Sequence, residues 1–121
     1  MNVVFQFGDL SIESRFNSSN TARIIYDSLP VSSSVNRWGD EIYFEIPAKL
    51  GPEETTLDLE VGDIGYWPEG SCLCLFFGKT PASIDNRPRP ASEVAVVGKF
   101  SATPESLRKV ASGTKVRVLK S

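Results

Sequence analysis

The chain has 121 residues, of which 40% are hydrophobic and 23% charged, and its formal net charge is −2. These values predict one globular domain over residues 1–121 and exclude a disordered or fibrous chain. They also give no general attraction for nucleic acid or an anionic membrane. The longest apolar run, residues 72–77, is far shorter than the ~20 residues that span a bilayer. Because the first ten residues, MNVVFQFGDL, lack the pattern of a signal peptide, we expect a cytoplasmic protein.

The sequence contains no histidine and two cysteines. The absence of histidine excludes Ser-His-Asp and Cys-His catalysis, histidine general bases and the common zinc sites. Cys72 and Cys74 share one face of a predicted strand, where two thiols are candidates for a redox pair or a soft-metal site. A bond between them at this spacing is strained, and no other cysteine or histidine completes a metal shell. Two small buried hydrophobic residues are therefore the favoured interpretation, and we expect neither a metal nor a cofactor.

The first half of the chain predicts a hairpin, a helix and two further strands. Residues 2–7 alternate with a period of two, and residues 10–16 follow a Gly-Asp turn as their hairpin partner. Residues 32–37 predict a polar strand, and residues 42–46 predict a strand whose apolar residues face the core. A helix between these strands is indicated by apolar residues at helical spacing before the breaker Pro30: Ala22, Ile25, Tyr26 and Leu29.

The second half predicts four more strands around a long loop. Alternation predicts a half-buried strand over residues 57–61. Residues 72–77 are apolar on both faces, which is typical of a strand between a barrel interior and a helix. Residues 78–93 contain three prolines and form a long connection, and such connections are often functional. The remaining predicted strands cover residues 94–100 and 115–119.

A second helix is predicted between the last two strands. Thr103 is the expected N-cap, Pro104 occupies the first helical position, and Gly113 is the expected C-cap. The count is then about eight strands and two helices. This order predicts a mainly β protein, a closed barrel whose open ends are covered by the two helices.

Several local motifs carry a resemblance to a known family. The segments GSCLCLFF (70–77), VAVVGKF (94–100) and TPESLRKVASGTKVRVLKS (103–121) resemble three parts of cyclophilin, the peptidyl-prolyl isomerase fold. The ordered set GDIGYWP, CLFFG, TPAS and Val-Val-Gly is still more similar to a smaller group of bacterial and archaeal cyclophilin-like domains of unknown function. The resemblance covers the whole chain and implies a cyclophilin-like barrel.

The resemblance transfers the isomerase site only in part. Arg37 has a place comparable to the arginine that cyclophilins use at the substrate carbonyl. Tyr43 and Glu45 lie near the family's apolar and glutamine contacts but differ from them in type. The glutamine of the family's Gly-Ser-Gln-Phe-Phe motif is replaced by Cys72, and Val94 stands near the position of a family histidine. The missing residues favour binding without catalysis.

Two groups of candidate site residues follow. The ligand-binding candidates stand against structural alternatives, such as a solvent-facing Arg37, a plugging Trp67 and core positions for the other aromatic residues. Arg87 and Arg89, between the prolines of the long loop, are a weaker anion-binding pair, and a solvated loop is the alternative. The ligand-binding candidates are Arg37, Tyr43, Glu45, Trp67 and Phe76.

Three functions are compatible with these residues. The leading one is a non-catalytic module that binds a small molecule or an extended, proline-containing peptide in a barrel-side cleft. The second is a divergent prolyl isomerase in which Arg37 polarises the amide. The third, which no motif supports directly, is a metabolite hydrolase or isomerase that uses Glu45 with Arg37.

Overall fold

The computed structural model describes residues 1–52 and 54–121, which form nine strands and two short helices. The protein is mainly β, as predicted, with one strand more than expected. In chain order the elements are β1 (Asn2–Phe7), β2 (Leu10–Phe16), α1 (Asn20–Asp27), β3 (Val31–Ser34), β4 (Asn36–Arg37), β5 (Glu41–Glu45), β6 (Asp63–Trp67), β7 (Cys72–Phe76), β8 (Ala95–Ser101), α2 (Pro104–Arg108) and β9 (Lys115–Lys120).

Both helices begin at a hydroxyl N-cap, and that of α2 is the predicted Thr103. The Ser19 hydroxyl accepts a hydrogen bond from the backbone N–H of Ala22 and caps α1. Thr103 caps α2 in the same way, with Pro104 at the first helical position. The predicted end of α2 is wrong: the helix stops at Arg108, and Gly113 instead adopts a φ of +90° in the turn before β9. Residues 109–113 therefore belong to a connection, within which Val110 is buried in the main core and the other residues are exposed.

The nine strands form one sheet in the order β3-β9-β1-β2-β8-β6-β7-β5-β4. Its first and last strands, β3 and β4, are consecutive parts of the segment 31–37, so the sheet curls into a nearly closed barrel. The segment bends at Val35, whose N–H donates to the Thr114 carbonyl at 2.9 Å and whose carbonyl accepts from the Gly113 N–H at 2.8 Å. The predicted single strand over 32–37 is thus two short strands that pair with β9 and β5.

The strand register separates an inner from an outer face in β5, β6, β7 and β8. Side chains of cross-strand partners point to the same side of a sheet, so the pairs Ile42–Leu75 and Phe44–Leu73 place all four residues inside the barrel. All four are fully buried. The inward set predicted for β5 is therefore confirmed, and its alternate residues face outward.

Strand β7 is buried on both faces, as predicted, but within the described residues no helix covers its outer face. Its outward residues Cys72, Cys74 and Phe76 instead pack with Leu59 and Val94, which come from the two long connections. Leu59 is 1% exposed and Val94 is 1% exposed. The outer face of the sheet thus carries a second, smaller core beneath these connections.

The strand predicted over residues 57–61 is absent. Thr56 pairs with Val94 in an isolated bridge, and after it the chain crosses the sheet without joining it. A strand cannot be added here because β6 already pairs with β7 and β8. Leu59 is buried on the outer face, whereas Val61, expected on the same side, is 51% exposed. The alternation in this segment marks one anchoring leucine.

No helix in the described part of the chain is both long and apolar enough to cross a membrane.

Candidate functional site

A cleft opens on the outer face of the barrel, beside the second core. Its volume is about 250 Å³. Three elements supply its walls: strand β5 with the turn before it, the end of β6, and the last part of the long connection 78–93. The lining side chains are Trp38, Glu41, Tyr43, Trp67, Pro90, Ala91 and Val94.

Tyr43 and Trp67 form one side of the cleft. Tyr43 pairs with Cys74, and Trp67 pairs with Cys72, so both aromatic rings rise from the outer face. Their ring centroids are 6.3 Å apart with an interplanar angle of 81°. This edge-to-face contact is the arrangement that aromatic pairs prefer, and it presents two rings to the cavity.

Trp38 and Glu41 lie on either side of a tight turn. The Trp38 N–H donates to the Glu41 carbonyl at 3.0 Å, and the Glu41 N–H donates to the Trp38 carbonyl at 3.2 Å. Gly39 allows this turn, since its φ is +59° and a Cβ on it would lie 2.9 Å from the Lys79 carbonyl oxygen. The reciprocal pairing brings the Trp38 and Glu41 side chains to the same face of the sheet.

The indole of Trp67 is held on two sides. Its Nε1–H donates to the Ser92 hydroxyl at 2.6 Å, which joins the end of β6 to the long connection. Gly70 lies against the ring, and a Cβ there would come within 2.6 Å of it. A ring held in this way is pre-organised, so little side-chain entropy remains to be lost when a ligand arrives.

The connection 78–93 has no regular secondary structure but is tied together by hydrogen bonds. The buried Thr80 donates its hydroxyl proton to the Arg89 carbonyl, and the Ser83 hydroxyl donates to the Arg87 carbonyl at 2.7 Å. Pro90 is buried as well. These contacts fix the part of the connection that forms one wall of the cleft.

Glu41 is the unusual member of this apolar cleft. Glu41 is only 6% exposed, and this burial raises the pKa of its carboxyl from 4.5 to about 7. The Cys74 thiol lies within hydrogen-bonding reach of this carboxyl, which partly offsets the rise. The thiol proton has a second acceptor in the Cys72 carbonyl, at a long Sγ–O distance of 4.0 Å. Glu41 thus changes charge near neutral pH.

The two cysteines are buried and unpaired, as the sequence predicts. Burial raises the pKa of Cys72 to about 11 and that of Cys74 well above its ordinary value, so both remain neutral thiols near neutral pH. Within residues 1–52 and 54–121, no three histidine, cysteine, aspartate or glutamate side chains are grouped so as to hold a metal ion.

Arg37 lies on the other side of the sheet from the cleft. It pairs with the inward-facing Ile42, and its guanidinium lies 5.2 Å from the centre of the Phe77 ring. The Nη1 group donates to the carbonyls of Arg108 and Val110 at 3.2 and 2.8 Å, and Nη2 donates to that of Gly39 at 3.0 Å. In this position Arg37 fastens the end of α2 to the barrel.

The other ligand-binding candidates are divided by depth and position. Tyr43 and Trp67 line the cleft together. Phe76 is fully buried in the second core, paired with Glu41, and Glu45 is exposed further along β5. The structure therefore brings together two of the five predicted residues.

The sequence prediction missed five of the lining residues, of which Trp38 and Glu41 carry the aromatic ring and the carboxyl. Both could have been found, because Glu41 precedes Tyr43 by two residues and so shares its face of the strand. Trp38 then follows from the turn chemistry of Gly39 and Asp40, which makes it the cross-strand neighbour of Glu41.

The proposed anion pair lies apart from this cleft. The Arg87 guanidinium donates to the carboxylates of Asp58 at 2.8 Å and Asp85 at 3.4 Å, and its hydrogen bond to Asp85 is the main cause that raises the pKa of Arg87. Arg87 and Arg89 line one depression, which has a volume of about 110 Å³. Because two carboxylates already bind Arg87, its positive charge is neutralised and does not attract an anion.

Comparison with known proteins agrees with this architecture. The sequence profile of the family described as Cyclophilin-like matches residues 1–119. The chain belongs to the cyclophilin-like family. No curated protein sequence matches this cyclophilin-like domain.

Two solved structures share its fold. The solution structure of the hypothetical protein AF2241 from Archaeoglobus fulgidus is 39% identical, with a TM-score of 0.84 over 100% of this chain and 95% of that one. McbB, solved in complex with tryptophan, is 15% identical with a TM-score of 0.68, and the match covers 98% of this chain and 44% of McbB. At that identity McbB shows a shared fold alone for this cyclophilin-like domain.

Proposed function

We propose that this cyclophilin-like domain is a non-catalytic binding module that takes a small molecule in the outer-face cleft. The observation that supports the proposal is the convergence of Trp38, Tyr43 and Trp67 with the single carboxyl of Glu41 around one cavity. Apolar and aromatic walls with few polar groups are the usual composition of a small-molecule site.

The volume of the cleft favours a small ligand over an extended peptide. At about 250 Å³ it lies just below the roughly 300–1,000 Å³ of sites for drug-sized ligands. A proline-containing peptide is therefore the second ligand class, with one side chain in the cleft and the rest of the peptide outside it.

Prolyl isomerisation has less support than binding. A divergent prolyl isomerase requires Arg37 to polarise the substrate amide. The Arg37 guanidinium instead donates to three backbone carbonyls on the inner side of the sheet. Glu45 and Arg37 lie on opposite faces of the sheet, which equally weakens a metabolite-converting site built from them.

NMR titration tests the proposal directly. The indole N–H signals of Trp38 and Trp67 are followed while a library of small aromatic and aliphatic fragments is added, and then a short peptide with an X-Pro bond. We expect saturable shifts at both indoles with the fragments, and no acceleration of cis/trans exchange in the peptide. Trp67→Ala should abolish the fragment shifts in a folded protein, and Trp67→Phe replaces it if the alanine variant unfolds.

Two results would overturn the proposal. If no fragment shifts either indole signal, the cleft is not a binding site and the aromatic rings serve packing alone. If the peptide's exchange peaks grow in the presence of the protein, the domain is an isomerase rather than a binding module.

A further inference from the structure

The cleft contains one carboxyl among apolar and aromatic side chains. Of the lining residues only Glu41 carries a carboxyl, and the others present three aromatic rings, a proline, an alanine and a valine. The nearest charged side chain on the adjoining turn, Asp40, is engaged by Arg108 at 3.0 Å and Arg37 at 3.9 Å. A buried carboxylate without a cationic partner is costly, so it either takes up a proton or acquires a positive charge from outside the chain.

We propose that the ligand of this cleft is a small organic cation, an ammonium compound whose charged head is held between the Glu41 carboxylate and the rings of Trp38, Tyr43 and Trp67. This inference rests on the proposed function and names its ligand class. The faces of tryptophan and tyrosine rings attract alkylammonium groups, and the attraction is greatest where water is excluded. Carboxylate and rings then act on the same charge from different sides.

Other ligand charges fit the cleft less well. An anion would meet the Glu41 carboxylate with no compensating cation on the lining. A metal ion would find a single carboxyl on the lining, which is short of a coordination shell. A neutral molecule can fill the apolar space but leaves the carboxyl unpaired.

Proton release accompanies such binding. The cation takes the ionised form of Glu41, so its affinity rises with pH until the carboxyl is fully ionised in the free protein. The other titratable groups facing Glu41 are the thiols of Cys72 and Cys74 on β7 and the hydroxyl of Tyr43 on its own strand. The thiols stay neutral below about pH 9 because burial raises the pKa of both.

The test compares choline with its neutral isostere, in which a tert-butyl group replaces the trimethylammonium group. Both are titrated calorimetrically into the full chain at about pH 8 and about pH 5.5, with the indole N–H signals followed by NMR in parallel. We expect choline to bind at least about tenfold more tightly than the isostere at the higher pH, the contribution of one buried ionic and cation–π contact. With a Glu41 pKa of about 7, choline should bind about sevenfold to 30-fold more weakly at the lower pH, the smaller factor applying if the protonated carboxyl still binds it one-tenth as well, and the isostere should not weaken.

A matched pair of variants completes the test. Glu41→Gln should lower choline affinity about tenfold or more and remove its pH dependence, while leaving the isostere within about threefold. Glu105→Gln, which removes the same charge from an exposed position on α2, should change neither ligand. Both variants are first checked for the wild-type spectrum.

The outcomes separate this inference from the proposed function. If the isostere binds as tightly as choline and shifts both indoles, the cleft is a binding site but the cation assignment is wrong. If choline binds with the same affinity in Glu41→Gln, Glu41 does not hold the charge and the assignment is again wrong. If neither compound nor any fragment shifts the indoles, the proposed function itself fails.

Discussion

Replacing Glu41 by glutamine should stabilise the protein at alkaline pH and leave it unchanged in acid. The folded state raises the pKa of this carboxyl from 4.5 to about 7, chiefly by burial, so the folded chain binds the proton more tightly than the unfolded chain. A group whose pKa is raised by folding contributes its full stabilisation below its pKa in the unfolded chain. That stabilisation is lost as the pH rises to its pKa in the folded protein. Glutamine has nearly the same shape and does not ionise.

The size of the effect follows from the two pKa values. Each pH unit between 4.5 and about 7 removes about 1.4 kcal/mol of wild-type stability through this one group. The total is about 3 kcal/mol, a large part of the roughly 5–15 kcal/mol that stabilises a typical domain. The free energy of unfolding of Glu41→Gln should therefore exceed that of the wild type by about 3 kcal/mol above pH 7, and by little below pH 4.5.

Urea denaturation at several pH values between about 4 and 8.5 measures this difference. Glu45→Gln is the control, because Glu45 lies on the same strand and is exposed. The difference in free energy of unfolding between this variant and the wild type should not change with pH. A constant difference between wild type and Glu41→Gln across the whole range would refute the reasoning, since it would mean that Glu41 titrates alike in both states.

Three further variants test the contacts around the cleft and the barrel end. Gly65→Val should cost about 1–3 kcal/mol in urea denaturation, because even its Cβ would lie 2.9 Å from the Val94 side chain and 3.3 Å from the Phe76 ring; wild-type stability would contradict that packing. Ser92→Ala should lower stability by about 1 kcal/mol and move the Trp67 indole N–H signal upfield as its 2.6 Å hydrogen bond is lost, and an unmoved signal would show that the bond is not formed. Arg37→Ala should cost about 2–4 kcal/mol by freeing the carbonyls of Arg108 and Val110 around the end of α2 and that of Gly39 in the turn before β5, and hydrogen exchange should accelerate at the end of α2 first.

Period-two patterns predicted the barrel well because they report burial on a pleated surface. The inward set of β5 and the doubly buried β7 both follow from the identity of the side chains alone. The segment 57–61 has the same alternation but forms no strand. The strand that follows it, β6, already pairs with β7 on one side and β8 on the other. Whether a segment can join the sheet depends on which strands already have two neighbours. That information is a property of the whole topology and is not present in a local sequence pattern.

Two of the five ligand-binding candidates lie in the cleft and three do not, for a similar reason. Tyr43 and Trp67 were recognised by residue type and position near turns, and the structure places them in one cleft. Arg37 was selected by analogy with an isomerase, but register sets its direction, and its pairing with Ile42 turns it inward. Glu41 was overlooked because a glutamate at a strand end is ordinarily solvated, and its burial arises only when the connection 78–93 folds over it.

The bend at Val35 also limits how a partner chain can approach. The two strands at the ends of the sheet order, β3 and β4, are four and two residues long, so little unpaired backbone is offered along them. A peptide that docks as an added strand needs a longer row of free N–H and C=O groups. For the proposed binding function, recognition then relies on a ligand entering the cavity, and shape and charge rather than main-chain pairing determine the selectivity.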